Sequence, residues 1–74
     1  IVPGSLALFP SGQWLAVGDL RGGVTVWNVE RGTRMREYAG HQAAVLGIAV
    51  HPEGKILATA SHDGTVKLWP LDFH

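Results

Sequence analysis

Ser61-His62-Asp63-Gly64-Thr65-Val66-Lys67-Leu68-Trp69 is the stretch that decides the fold. Moved 42 residues toward the N-terminus, it falls on Asp19-Leu20-Arg21-Gly22-Gly23-Val24-Thr25-Val26-Trp27, matching at Gly22, Val24 and Trp27. The same offset sets Ala7 on Ala49, Pro10 on Pro52, Gly12 on Gly54, Leu15 on Leu57 and Ala16 on Ala58. That makes eight identities over the 23 positions from Ser5 to Trp27, with no gap. Gly, Pro and Trp in register are not a product of chance. The chain is a tandem repeat, a property to be fixed before any strand is assigned. The other 15 of those 23 positions differ, as in a naturally diverged protein.

Within each copy the signals are short strands and tight turns. Phe9-Pro10-Ser11-Gly12 and His51-Pro52-Glu53-Gly54 place Pro second and Gly fourth, the residue types of a type I turn. Asp63-Gly64 reads as a tight hairpin pair, since glycine tolerates positive φ; Arg21-Gly22-Gly23 stands there in the first copy. Strands are expected over about residues 5–9, 14–18, 24–29 and 33–38, then 48–51, 56–61 and 66–69. In the fourth, Arg34 and Arg36 take one face and Thr33, Met35 and Glu37 the other. The first copy, residues 1–42, thus has four strands, and the second, 43–74, lacks its fourth.

Composition narrows the class. The 74 residues carry six Lys+Arg against six Asp+Glu, no cysteine, ten glycines and four prolines. No stretch free of Gly and Pro exceeds nine residues (Lys55 to Asp63), short of the roughly 11–12 of an average helix. No apolar run approaches the ~20 residues of a membrane span, and no signal-peptide pattern opens the chain. Zero net charge argues against a nucleic-acid surface. The absence of cysteine excludes disulfides, a thiol nucleophile and thiolate zinc. A chain this small buries about 60% of its unfolded surface. Yet 46% of it is hydrophobic, which points to a piece of something larger.

Gly40-His41, the turn His51-Pro52-Glu53-Gly54, and Ser61 to Trp69 together resemble the WD40-repeat family of β-propellers. The period of 42 lies within that family's 40–45 residues. The Trp-Asp dipeptide is replaced by Trp27-Asn28 and Trp69-Pro70, and Glu53 replaces a turn aspartate. The resemblance implies an all-β fold of propeller blades, each a four-stranded antiparallel sheet, about two blades and seven strands here. Four to eight blades close such a ring, so a fragment of a larger propeller is expected. Strands apolar on both faces, with Val66 and Leu68 opposite Trp69 and Leu71, fit blades stacked between neighbours better than a free β-sandwich. The small residues Ala16, Gly18, Ala58 and Ala60 suit close packing near the ring axis. By resemblance His41, Ser61, Asp63 and Trp69 form a structural hydrogen-bond network in the second copy. The first copy, with Arg21 and Asp19 at two of those positions, lacks it.

Competing chemistries are weaker. Ser61-His62-Asp63 spells a catalytic triad, but consecutive strand residues alternate faces and cannot align as one. His41, His51, His62 and His74 show no metal-ligand spacing, and Gly54-Lys55 lacks the rest of a phosphate loop. Arg31, Arg34 and Arg36 read as charge guarding a sheet edge. No enzyme, metal or cofactor is expected. The resemblance implies instead an intracellular scaffold, cytoplasmic or nuclear, that binds other proteins together with the remaining blades. Leu20, Arg21 and His62, on the turns facing the ring entrance, are the partner-binding candidates. A self-assembling structural unit is the alternative, a homo-oligomer if the chain is complete.

Overall fold

The computed structural model describes residues 3–71. Seven strands run β1 (Pro3–Leu8), β2 (Trp14–Asp19), β3 (Gly23–Asn28), β4 (Thr33–Ala39), β5 (Val45–Val50), β6 (Ile56–Ser61) and β7 (Val66–Pro70). They form two antiparallel meanders, β1-β2-β3-β4 and β5-β6-β7. Ends move by one to three residues from the sequence expectation, most at β5, which begins at Val45 and not at Ile48. Phe9 leaves its strand because its carbonyl accepts from the Gly12 N–H at 2.8 Å, closing the Pro10 turn. The ring, 4% exposed, drops into the core instead.

The repeat is visible in the backbone. Gly54 N–H closes the second proline turn on the His51 carbonyl at 2.7 Å, as Gly12 closes the first. Val29 N–H donates to the Gln13 carbonyl, and Leu71 N–H to that of Lys55, both at 2.8 Å. Asp63-Gly64 is not a two-residue hairpin. Gly64 N–H donates to the Ser61 carbonyl, Ser61 N–H takes that of Thr65, and φ is 87° at Gly64. His62-Asp63-Gly64 is therefore a three-residue loop ending in a left-handed glycine, which relieves the twist a two-residue type I turn would force on the hairpin. The alternation expected in β4 also breaks. Its register with β3 shifts so that Val26 meets Arg36 and Trp27 meets Arg34, leaving Met35 in a bulge.

The sheets meet through β1, β2 and β5. Ile48 and Val50 pack against a core of Phe9, Ala16, Val24, Val26, Val45, Leu57 and Leu71. Ser5 Oγ donates to the Val45 carbonyl across the seam at 2.9 Å. The small residues of β2 make this possible: a methyl on Gly18 would lie 2.6 Å from Val45 Cγ1. Gly18→Ala should therefore cost about 1–3 kcal/mol, as overpacking does. Calorimetry on Gly18→Ala, Val45→Ala and the double variant should show the double losing less than the two singles combined.

Both outer faces are open. Leu6 and Leu8 are 64% and 59% exposed on one, Val66 and Leu68 70% and 67% on the other. Ala58 and Ala60, counterparts of Ala16 and Gly18, line an open apolar cleft with Val66. His74 lies outside the described residues. No helix among these residues is long and apolar enough to cross a membrane.

Candidate functional site

At the end of the second sheet where β6 turns into β7, five side chains connect in series. The Trp69 indole N–H donates to Thr59 Oγ1 at 3.0 Å, and Thr59 Oγ1 lies 2.7 Å from His41 Nε2. His41 Nδ1 is 3.1 Å from Thr65 Oγ1, and the Thr65 hydroxyl donates to Asp63 Oδ1 at 2.5 Å. The two ends fix the direction, because an indole can only donate and a carboxylate can only accept. With its proton given to Asp63, the Thr65 oxygen must accept from His41, which assigns the proton to Nδ1. Thr59, accepting from Trp69, then donates to Nε2. Every hydroxyl gives once and receives once, and no buried side-chain N or O among the described residues is left unpaired.

Local sequence places each member. Thr59, 1% exposed, shares the inward face of β6 with Leu57 and Ser61. His41, 6% exposed, enters from the loop after β4. Its neighbour must be glycine, since a methyl on Gly40 would sit 2.8 Å from the Trp69 ring. Tyr38 stacks on that ring with centroids 5.0 Å apart, and His41 meets it edge-on at 6.5 Å. Asp63 also accepts from the Gln42 and Thr65 backbone N–H groups, both at 2.9 Å, and its Oδ2 stands 3.5 Å from His41 Nδ1.

Three of the four residues expected in the network, His41, Asp63 and Trp69, are brought together; Ser61 is not. Its hydroxyl donates to the Ala43 carbonyl at 3.0 Å and accepts from the Asp63 N–H at 3.1 Å, bracing the turn. Thr59 takes the place assigned to it, two residues further from the turn on the same face of β6. Thr65 is an added member. Period-two alternation could have offered Thr59 as readily as Ser61; nothing in the sequence marks Thr65. In the first sheet Asp19, counterpart of Ser61, braces the turn alone, its Oδ1 accepting from the Arg21 and Gly23 N–H groups at 2.8 and 2.9 Å. Val17 stands where Thr59 would, so no hydroxyl chain forms there.

The Thr65 hydroxyl, then the Gln42 N–H, hold the Asp63 carboxyl well below the usual carboxylate range. A carboxyl whose folded pKa lies below its unfolded value, about 4, contributes stability that is complete above that value. It is lost as the pH falls below it. Asp63→Asn should be less stable than the parent at pH 7, with the gap narrowing below about pH 4. Acid titration followed by circular dichroism checks this; a gap as wide at pH 2 as at pH 7 would contradict it. At neutral pH, Asp63→Ala should lower Tm more than Arg21→Ala, because Arg21 makes no ion pair among the described residues.

Leu20, Arg21 and His62 are exposed on the turns at this same end. The His62 N–H is anchored to the Ala44 carbonyl at 2.9 Å, so the backbone is held while the imidazole projects. At the other end a cavity of about 570 Å³ lies between the two proline turns, floored by Phe9, Trp14 and Leu71. Among the described residues no three His, Asp or Glu side chains converge as metal ligands.

Residues 32–70 match the family model described as WD domain, G-beta repeat. The chain is 41% identical over 64 residues to Protein HIR1 of Mycosarcoma maydis, covering 86% of this chain and 6% of that protein. It is 42% identical over 48 residues to eukaryotic translation initiation factor 3 subunit I of Neurospora crassa, covering 65% and 14% respectively. The Cps50 (Swd1) β-propeller domain of Myceliophteria thermophila superimposes with a TM-score of 0.89 at 25% identity, over 92% of this chain and 21% of that one. The chain thus spans a small part of each of these three proteins.

Proposed function

The chain belongs to the WD40-repeat family of β-propellers, and on that footing we propose that it is a non-catalytic scaffold that presents the β2–β3 and β6–β7 turns to another protein. One observation carries this reading. Leu20, Arg21 and His62 project from turns whose backbones are clamped by Asp19, Ser61 and Asp63, a preformed surface that loses little entropy on binding. The side-chain chain from Trp69 to Asp63 serves structure, and the turns it fixes serve recognition. Zero net charge favours protein over nucleic acid as partner, and we place the protein in the cytoplasm or nucleus, where proteins with this repeat carry such roles.

Further blades are the other partner. Ile48 and Val50 cover the face of the first sheet that carries Ala16 and Gly18. Leu6 and Leu8 are their repeat counterparts, and Ala58 and Ala60 those of the covered face. Each open face thus reproduces one half of a contact already made between the two sheets. Residues 1–42 and 43–74 accordingly act as adjacent blades, the second open at β7. The same complementarity favours a second reading, in which copies stack head to tail until a ring closes. Light scattering on the full chain separates the two: a monomer supports further blades in one chain, a closed multimer supports self-assembly.

Photo-crosslinking tests the scaffold reading. A benzophenone amino acid at position 62 of the full chain should capture another protein in cells, and one at position 31, at the opposite end, should not. Capture from position 31 alone, or from neither, would overturn it.

A further inference from the structure

Of the seven Ser and Thr residues, five have their hydroxyls in hydrogen bonds: Ser5, Ser11, Thr59, Ser61 and Thr65. Thr25 is buried at 5% exposure. Thr33 alone is exposed with no hydrogen-bond partner among the described residues. It also stands among cations. Arg31, Arg34 and Arg36, half of the six Lys and Arg, lie within three positions of it. Residues 29–37 are exposed without a break, the longest such run among the described residues.

The fold gives this run an extended, accessible shape. β4 is the outer strand of its sheet, so one side of its backbone makes no ladder among the described residues. Blades stack on sheet faces, which leaves this edge at the rim. The bulge at Met35 then sorts the arginines. Thr33 pairs with Asn28, Arg34 with Trp27, Arg36 with Val26 and Glu37 with Thr25. Counted by rung, Thr33 and Arg36 share one face two rungs apart, although strict alternation put them on opposite faces. Arg34 and Glu37 share the other face and form an ion pair at 2.6 Å. Two rungs span about 7 Å, within reach of an arginine toward a group carried on the Thr33 oxygen. Arg31 approaches from the turn, its N–H held by Asn28 Oδ1 at 3.1 Å on the rung that carries Thr33. It forms no ion pair among the described residues.

We propose that Thr33 is a phosphorylation site for a protein kinase that selects arginine on both sides of its acceptor, and that Arg36 and Arg31 hold the phosphate. The Thr33 oxygen attacks the γ-phosphorus of ATP and the bond to the β–γ bridging oxygen breaks. ADP leaves, and the hydroxyl proton passes to the general base of the kinase. Charge patterns of this kind set kinase–substrate choice, and β4 already has the extended form that such a cleft accepts. The phosphate brings a charge of about −1.5 to −2. Residues 30–37, with three Arg against two Glu, thereby change from net positive to net negative. The arginines that guard the edge thus act twice, first toward the kinase and then on the phosphate.

Incubation of the full chain with such a kinase and magnesium ATP, followed by mass spectrometry, tests the site. One phosphate should enter, at Thr33. Arg31→Ala and Arg36→Ala should each slow its entry by about tenfold or more, with circular dichroism checking that both variants fold. No phosphate at Thr33, equal entry at Ser11 or Thr65, or entry at Thr33 only after unfolding in urea, overturns the site. Arginine side-chain resonances read the hold on the phosphate separately. Phosphorylation should shift the Arg36 Nε–H signal and leave that of Arg34, on the other face, in place. An Arg36 signal that does not move overturns the hold.

Discussion

Trp69→Ala should lower the unfolding free energy by about 3 kcal/mol, the low end for losing a large aromatic because this ring is only partly covered. Three losses combine. The indole stops filling the space above Gly40, Tyr38 loses its stacking partner, and Thr59 loses the donor at the head of the side-chain chain. Trp69→Phe separates them. It keeps a ring against Tyr38 but removes the N–H, and should cost about 1–2 kcal/mol, the range for one hydrogen bond to a buried group. Denaturant unfolding checks both. Trp69→Ala within 0.5 kcal/mol of the parent, roughly the effect of a neutral surface change, would mean the indole does not hold the second sheet together.

Gly22→Ala should be as damaging, for a reason that lies between the sheets. Gly22 has φ of 96° in the β2–β3 turn, and a methyl there would stand 2.2 Å from the His41 carbonyl oxygen and 2.9 Å from that of Ala43. The left-handed backbone alone costs roughly 1–2 kcal/mol. The backbone collision adds about 1–3 kcal/mol more, and neither carbonyl can retreat without moving the loop that delivers His41. Gly12→Ala is the control: φ is 76°, but nothing lies within 4 Å of the added methyl, so only the backbone cost applies. A Gly22→Ala loss no larger than that of Gly12→Ala would show that the turn of the first sheet does not rest on the His41 loop.

The contrast between Gly22 and Gly12 shows what the sequence could and could not disclose. Both mark turns, and Pro10, Pro52 and the glycines located every hairpin because proline and left-handed glycine act within a few residues. Whether a glycine also bears on another sheet is a long-range property with no local signature. Ser61 and Thr59 make the same point within the site: both are β-hydroxyl residues on one face of β6, and only the reach of the Trp69 indole decides between them. Thr65 entered the chain because the three-residue loop carries its hydroxyl back over Asp63, a geometry hidden while Asp63-Gly64 reads as a two-residue turn. The bulges at Met35 and Leu46 were invisible for a related reason, since one extra residue leaves the composition of a strand unchanged and alters only its partner's register.

A single directed chain of hydrogen bonds, running from Trp69 through Thr59, His41 and Thr65 to Asp63, fixes the turn end of the second sheet. The tautomer of His41, read from long-range proton–nitrogen correlation spectra of the full chain at about pH 8, tests this. His41 should be the Nδ1–H tautomer, with a Trp69 indole proton that exchanges slowly with solvent. An Nε2–H tautomer, or a Trp69 indole proton that exchanges as fast as an exposed one, would contradict it.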